Sequence, residues 1–396
     1  MGDERVHEVV MFELATAGRI VFGDGAIAKL PSIVSSLAGG EARCLFVTGA
    51  RVERFAHVRQ ALEGAGIAAV PFAVSGEPTT ELAREGTALA RRERCSIVVA
   101  IGGGSVLDAG KAIAALVTNE GDPLDYLEVI GRGLPLTRAP LPFVAAPTTA
   151  GTGSEVTKNA VLADPTQRVK VSLRSDAMLP RVALVDPELT WSVPPAVTAS
   201  TGLDAITQCL EPFVSSMASP LTDPFCREGM RLGAGALRRA YAKGDDREAR
   251  RDMALCSVFG GIALANAKLG AVHGFAAPIG GSFESPHGAV CARLLPLVIE
   301  TNVAALRARA PESPSLARYE EAARIVCGRA DAKIEDLIAW GHDIARDLAI
   351  PALSTYGMRA SDVETIADKA AKASSTKGNP IVLERAELIA ILERAL

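Results

Sequence analysis

The chain has 396 residues and a formal net charge of −4, with 48% hydrophobic and 22% charged residues. At about 100–200 residues per domain, this length predicts two or three domains with large cores. The composition excludes a disordered chain and a small disulfide scaffold, and the lack of a basic excess argues against a nucleic-acid partner.

The sequence carries no signal for a membrane or for export. No run of about 18 apolar residues predicts a transmembrane helix, and residues 1–5 lack the basic-then-apolar order of a secretory signal. The seven cysteines include no Cys-x-x-Cys pair, which is typical of reduced, buried thiols rather than of disulfides or zinc ligands. We therefore expect a cytoplasmic protein without membrane partners.

Short apolar runs alternate with helical stretches in the first half of the chain. This alternation predicts parallel strands with crossover helices on both faces of a sheet, and a helix at 81–94 is one of the crossovers. The predicted strands lie at 19–22, 44–48, 67–73, 96–101, 142–146 and 182–185.

Beyond Pro187 the pattern becomes helical. The boundary is therefore predicted near residue 190, with an α/β domain at 1–189 and an all-helical domain at 190–396. Ligand sites favour such domain junctions. The predicted helices lie at 198–214, 221–242, 247–267, 315–327, 333–348 and 360–373.

Two glycine-rich segments each follow a predicted strand. Gly102-Gly-Gly-Ser105 comes directly before a predicted helix at 106–117, so its backbone and the helix N-terminus suit a phosphate. Pro147-Thr-Thr-Ala-Gly-Thr-Gly-Ser-Glu155 offers four hydroxyls at the end of the next strand, where open α/β sheets bind ligands. Each segment alone could be a simple turn, but together they predict the two walls of a dinucleotide cleft.

A third segment, Gly23–Ala28, fits the pattern G-x-G-x-x-A. A true dinucleotide fingerprint would place an acidic residue at the end of the following strand. That strand ends at Gly49, with Arg51 close behind and no acid. We therefore interpret Gly23–Ala28 as a turn into a helix, and we expect NADP to be tolerated beside NAD.

Four side chains in the helical half are candidate metal ligands. Asp204 and Gln208 are spaced i, i+4, so both leave the same face of a helix. His273 and His287 are a close histidine pair, and each precedes a glycine. A carboxylate with imidazoles suits a divalent metal, whereas an amide oxygen is a weak ligand. Two unrelated histidines near turns remain an equal alternative.

In their order, these motifs resemble the iron-containing (group III) alcohol dehydrogenase family over nearly the full chain. The similar segments are 102–111, 147–155, 202–208, His273 to Gly288, and Asn379-Pro380. The resemblance implies the dehydroquinate-synthase-like fold, in which a Rossmann-like nucleotide-binding domain precedes an all-α domain. It also implies an active site between the domains and a homodimer.

The resemblance further implies a site for NAD or NADP. The residues expected to line it are Gly104, Ser105, Thr148, Thr149, Asn159, Lys170 and Leu189. The expected set also includes Gly49 at a strand end, Gly103 and Thr152 in the two glycine-rich segments, and Asp108 in the helix that follows the first.

By the same resemblance, Asp204, Gln208, His273 and His287 occupy the metal-ligand positions, and both histidines are catalytic. Fe²⁺, or else Zn²⁺, would act as a Lewis acid on the oxygen of a small alcohol, aldehyde or ketone during hydride transfer.

Two departures from the family pattern bear on the metal. The family usually has histidine at the position of Gln208 and often a further histidine at the position of Ala277. We therefore expect the metal to be weakly bound or absent. Three alternatives stay open: a metal-independent ketoacid reductase of the maleylacetate type, a lyase that uses the same fold, and a non-catalytic binding protein that retains it.

Overall fold

The structure is a computed structural model that describes residues 11–39, 41–167 and 169–396. The predicted absence of an export signal at residues 1–5 lies outside the described residues. The strands in chain order are β1 (Ile20–Phe22), β2 (Arg43–Gly49), β3 (Ala68–Val74), β4 (Ile97–Gly102), β5 (Phe143–Pro147), β6 (Asn159–Asp164), β7 (Val169–Arg174) and β8 (Val182–Val185).

Six of these strands form one sheet in the order β1-β8-β5-β4-β2-β3, and every neighbouring pair is parallel. The predicted α/β architecture is confirmed, and each predicted strand is present. The sequence analysis missed β6 and β7, which pair antiparallel in a separate hairpin. Their alternate residues are only partly buried, so they lack the continuous apolar run that marks the sheet strands.

Helices cover both faces of the sheet, as predicted from the alternation of elements. Because side chains alternate along a strand, Phe46 packs with α1 and α2 on one face while Leu45 packs with α3 and α4 on the other. The helices of this domain are α1 (Leu30–Ala38), α2 (Ala56–Gly64), α3 (Thr80–Arg92), α4 (Gly104–Thr118) and α5 (Pro123–Tyr126).

The rest of the chain is helical, which confirms the second half of the predicted fold. The helices are α6 (Pro195–Val214), α7 (Asp223–Ala242), α8 (Arg247–Ala267), α9 (Ala271–Ser282), α10 (His287–Arg309), α11 (Pro314–Cys327), α12 (Ile334–Asp347), α13 (Val363–Lys372) and α14 (Arg385–Ala395). Helix α6 lies at the centre of this domain, is buried along most of its length, and packs against α7, α8 and α10. The predicted boundary between residues 189 and 190 stays a prediction; β8 precedes it and α6 follows it.

The sequence analysis missed α9 and α10, the helices that carry the histidine pair. Each contains an internal proline, Pro278 or Pro296, and α9 also contains a Gly-Gly pair. Both are apolar on nearly every face, so no 3.6-residue periodicity marks them.

Helix α10 is also, among the described residues, the single helix long and apolar enough to cross a membrane. However, 78% of its apolar stretch is buried inside the protein. It packs against α6, α9, α12 and α14. This burial is typical of a core helix in a large domain.

Candidate active site between the two domains

The topology of the sheet creates a crevice at its carboxyl edge. From β2 the chain moves outward to β3, whereas from β4 it moves in the opposite direction to β5. Ligands of open α/β sheets bind at such a reversal of strand order. Gly49 ends β2 and Gly102 ends β4, so the two stand on either side of this point.

The two glycine-rich segments are in direct contact at this edge. The Thr148 N–H donates to the Gly102 carbonyl over 2.9 Å. A Cβ atom built on Gly104 would lie 2.7 Å from Thr152 Cγ2, and one built on Gly103 would lie 3.6 Å from Thr149 Oγ1. Only glycine therefore allows this close approach at position 104.

Helix α4 begins at Gly104 without a side-chain cap. The N–H groups of Val106 and Leu107 donate to the Gly103 carbonyl, whereas those of Gly104 and Ser105 have no side-chain acceptor and could bind an anion. By contrast, the N–H groups of Gly25 and Ile27 donate to Asp186 over 3.1 and 3.0 Å. The structure therefore agrees with the interpretation of Gly23–Ala28 as a turn into a helix.

A buried network supports the second loop from below. Lys111 Nζ lies 2.8–3.1 Å from four acceptors, which share its three N–H groups: both oxygens of Ser154, Thr157 Oγ1 and the Asn159 carbonyl. The carboxylate of Asp108 accepts from the Ser154 hydroxyl over 2.5 Å and from a backbone N–H of β6 over 2.9 Å. Asp108 and Asn159, both predicted to bind the cofactor, thus hold the loop that faces the crevice.

Burial perturbs the ionisable groups of this network. It lowers the pKa of Lys111 to about 8 and raises the pKa of Glu155 to about 7. It also raises the pKa of Asp108, against the opposing influence of Lys111. The sequence pattern gives no sign of this network, because the partners of Lys111 are more than 40 positions away.

The remaining predicted cofactor residues lie around the same edge. Leu189 follows β8, and its carbonyl accepts from Arg54 Nη2 over 3.0 Å. Lys170 on β7 lies 3.4 Å from Glu77 Oε1. A Cβ built on Gly280 of α9 would be 3.4 Å from Lys170 Nζ, so this lysine reaches from the first domain to the second.

The structure brings the predicted metal ligands Asp204, His273 and His287 together. Asp204 Oδ1 lies 3.3 Å from His273 Nε2 and 3.9 Å from His287 Nε2. The two imidazole rings have centroids 5.4 Å apart. Helices α6, α9 and α10 each contribute one of these residues. Gln208 lies one turn after Asp204 on α6, and its Cβ is packed close to Gly260 of α8.

The protein does not satisfy the polar atoms of this cluster by itself. In the described part of the chain, Asp204 Oδ1, Gln208 Oε1 and His273 Nε2 are buried and have no hydrogen-bond partner. A buried polar atom without a partner costs about 1–3 kcal/mol. Asp204 Oδ1 and His273 Nε2 lie 3.3 Å apart, so one cation could bind both once Nε2 has lost its proton, and these residues fit a divalent metal.

Two residues that the sequence analysis did not include complete the cluster. Glu211 Oε2 lies 2.6 Å from His273 Nδ1, and Glu211 Oε1 accepts from the Val272 N–H over 2.7 Å. Since a carboxylate only accepts, Nδ1 carries the hydrogen and Nε2 is free to bind a metal. Cys291 Sγ lies 3.6 Å from His287 Nε2. The i, i+7 spacing of Asp204 and Glu211 on one helix could have revealed the first.

Electrostatic coupling in this cluster favours the charged forms. Cys291 and Asp204 raise the pKa of His287 to about 9. Burial opposes charge on His273, but Cys291 and Asp204 outweigh it and hold the pKa of His273 well above its ordinary value. Burial likewise opposes charge on Asp204, yet the two imidazoles hold the pKa of that carboxyl below its ordinary value. A cation must therefore displace protons when it binds.

The two candidate sites meet at the domain junction. A Cβ built on Gly151 would lie 2.6 Å from Thr201 of α6, and one on Gly153 would lie 2.4 Å from Gly261 of α8. The second glycine-rich segment thus packs on the helix that carries Asp204. Ala277, where the family often has histidine, is exposed on α9 one turn after His273 and offers no titratable group.

Family models and relatives agree with this arrangement. Residues 17–187 match the model "Iron-containing alcohol dehydrogenase", and residues 198–396 match "Fe-containing alcohol dehydrogenase family, C-terminal". A 1,3-propanediol dehydrogenase of Klebsiella pneumoniae is 34% identical, with 97% of this chain and 99% of the relative covered. A choline dehydrogenase of Bacillus subtilis (strain 168) is 33% identical, with 95% and 92% covered.

A crystal structure of a 1,3-propanediol oxidoreductase superposes with a TM-score of 0.90 at 34% identity, and covers 98% of this chain and 100% of that one. These relatives do not favour the ketoacid-reductase or the non-catalytic alternative. The chain therefore belongs to the iron-containing alcohol dehydrogenase family, as a nicotinamide-dependent oxidoreductase that acts on alcohols.

Proposed function

We propose that the chain interconverts a small alcohol and its aldehyde or ketone, with NAD or NADP in the crevice and a divalent metal, Fe²⁺ or Zn²⁺, at the Asp204 cluster. The observation that carries this proposal is the set of unpartnered buried atoms on Asp204, Gln208 and His273. These atoms belong to the domain that packs against the second glycine loop. Metal and cofactor would thus face one substrate.

The cofactor would use mostly backbone. The first turn of α4, from Gly104 and Ser105, would bind the pyrophosphate, and the hydroxyls of Thr148 and Thr149 would add hydrogen bonds. When bound, the nicotinamide supplies or accepts the hydride. The chain's own contribution is to hold the ring at the junction and to exclude water from it.

The metal would rest on Asp204, His273 and His287, with Gln208 as a neutral fourth donor. When bound, a divalent ion polarises the substrate oxygen as a Lewis acid. Asp204 supplies negative charge, and Glu211 fixes the orientation of His273 through Nδ1. Asp204, His273 and His287 come from three separate helices that pack together. This packing would fix the position of the metal and therefore of the substrate oxygen.

Both histidines are catalytic in this proposal, with different exposure. The side chain of His273 is 5% exposed, whereas that of His287 is 43% exposed. His287 therefore stands where solvent reaches the site. Because His287 would bind the metal and Ala277 offers no titratable group, protons would pass between the substrate oxygen and water at this solvent-exposed edge of the site.

We further propose that the protein acts in the cytoplasm as a homodimer. All seven cysteines are free thiols, and six of them are buried, in keeping with a reducing compartment. Strand β1 has one neighbour in the sheet, and its Ile20 and Phe22 are each 36% exposed. An edge strand with exposed apolar side chains favours pairing with a second copy.

A substrate screen tests the proposed function directly. Nicotinamide absorbance is followed for a panel of short alcohols with NAD and NADP, and for the matching aldehydes and ketoacids with the reduced cofactors. We expect turnover of alcohols and aldehydes that depends on Asp204, with Asp223→Asn on α7 as the control. Turnover of ketoacids alone would instead support the metal-independent alternative.

A further inference from the structure

We propose that Cys291 is a ligand of the metal, so that the site in this chain is an Asp, His, His, Cys set. This inference rests on the proposed metal-assisted function. Asp204, His273, His287 and Cys291 each offer one ligand atom, and these four atoms all lie within 4.8 Å of one another. The Cys291 side chain is fully buried, so it faces this cluster and not solvent.

Two of the separations match those of ligands around one ion, and a third, between Asp204 Oδ1 and His287 Nε2, is longer at 3.9 Å. A tetrahedral zinc with bonds of about 2.3 Å to sulfur and about 2.0 Å to nitrogen holds those two atoms about 3.5 Å apart. Cys291 Sγ and His287 Nε2 lie 3.6 Å apart. Asp204 Oδ1 and His273 Nε2, at 3.3 Å, match the separation of about 3.3 Å expected for an oxygen and a nitrogen ligand.

A second observation independently indicates a ligand at this place. Asp204 Oδ1 and His273 Nε2 are buried without partners, and their residues are 1% and 6% exposed. Cys291 is spaced i, i+4 from His287 on α10, so both side chains leave the same helix face. The sulfur therefore lies next to atoms that require a cation.

Charge and softness explain why a thiolate would serve here. Asp204 supplies one negative charge, and Gln208 supplies none. A Cys291 thiolate would add a second negative charge, so that the ligands together would neutralise a divalent ion in this buried site. Because thiolate favours borderline-soft zinc over harder cations, we infer that Zn²⁺ is the preferred ion. Cys291 would thus replace the strong ligand that Gln208 does not provide.

Cobalt substitution tests this inference. The full-length protein is depleted of metal and titrated with Co²⁺, and its near-ultraviolet absorption is recorded. We expect one Co²⁺ per chain and a sulfur-to-cobalt charge-transfer band. Cys291→Ser and Cys291→Ala should lose the band and bind Zn²⁺ at least about tenfold more weakly in competition with a chromogenic chelator. Cys327→Ala, at the end of α11 and outside the cluster, should retain both.

The outcomes separate the ligand from the site. The role of Cys291 is overturned if the wild-type protein binds one Co²⁺ per chain without the charge-transfer band. It is also overturned if Cys291→Ala binds Co²⁺ and keeps the band. Either result leaves the proposed function standing. Failure of the wild-type protein to bind Co²⁺ or Zn²⁺ overturns both. Should the variants not fold, X-ray absorption of the wild-type zinc protein decides, because a sulfur at about 2.3 Å is required.

Discussion

The network around Lys111 and the cluster around Asp204 differ in how far the protein satisfies its own polar groups. Lys111 has four acceptors and Asp108 has two donors, all supplied by the chain. Near Asp204, three buried atoms find no partner in the described residues. The first region is satisfied within the protein, whereas the second leaves polar atoms that the proposed ion would satisfy.

This contrast separates the region proposed to bind the cofactor from the region proposed to bind the metal. The proposed cofactor cleft lies at the ends of strands, where backbone groups would bind the ligand, and the side chains beneath it hydrogen-bond within the protein. The proposed metal site is built from side chains of α6, α9 and α10, and several of their buried polar atoms have no partner in the described residues. Changes to the first should therefore weaken cofactor binding alone, and changes to the second should weaken metal binding alone.

The largest effect is expected from Asp204→Asn. The amide keeps the shape of the carboxylate but removes the charge that faces both imidazoles. Metal affinity should fall by more than about a hundredfold, or about 2.7 kcal/mol. Metal content by mass spectrometry after dialysis provides the readout. Cofactor affinity should be unchanged, and an equal loss of cofactor affinity would argue against two separable sites.

Glu211→Gln should have the next largest effect on the metal. Glu211 does not contact the proposed ion but accepts the Nδ1 hydrogen of His273. Removal of such a positioning carboxylate weakens metal binding by about 10- to 100-fold. Zinc titration measures this loss, and Glu228→Gln on the exposed face of α7 is the control. An unchanged zinc affinity would mean that Glu211 only accepts the hydrogen bond from the Val272 N–H and does not position His273 for the metal.

Gly104→Val tests the proposed cofactor site. A Cβ at this position would lie 2.7 Å from Thr152, so the two loops must separate. We expect the dissociation constant for NADH to rise by about tenfold or more, or at least about 1.4 kcal/mol. Fluorescence titration checks it against Gly235→Val, where a Cβ meets nothing within 4 Å. Zinc binding should stay normal in both variants.

The smallest expected difference concerns the choice of cofactor. Gly49 ends β2 without a carboxylate that would repel a 2′-phosphate, and Arg51 follows. NADP(H) should therefore bind within about tenfold of NAD(H), or about 1.4 kcal/mol. Parallel titrations with the two reduced cofactors measure the ratio. A preference for NAD(H) above about a thousandfold would contradict this account of the strand end.

The same contrast explains what could be predicted from sequence. The sheet strands and the glycine loops have local signatures, because an apolar run followed by glycines encodes both a buried strand and a tight turn. The hairpin of β6 and β7 has neither feature. The juxtaposition of Asp204 with the two histidines also followed from the family resemblance, which supplied their order in the chain.

The other partners in the metal cluster depend on structure that the sequence pattern hides. Cys291 joins His287 only because α10 begins at that histidine, and proline and glycine obscure α9 and α10. Glu211 meets His273 across 62 positions. Such contacts follow from how helices pack, not from any local period.

Metal removal tests the central claim most directly. The rate of aldehyde reduction is measured for rigorously metal-free full-length protein, before and after one equivalent of Zn²⁺ or Fe²⁺ per chain. The account predicts a rate at least about a hundredfold lower without metal, because the substrate oxygen loses its Lewis acid, and recovery when the ion is returned. Metal-free protein that reduces its substrate at the undiminished rate would contradict the account, and His287 would then be the proton donor of a metal-independent reductase.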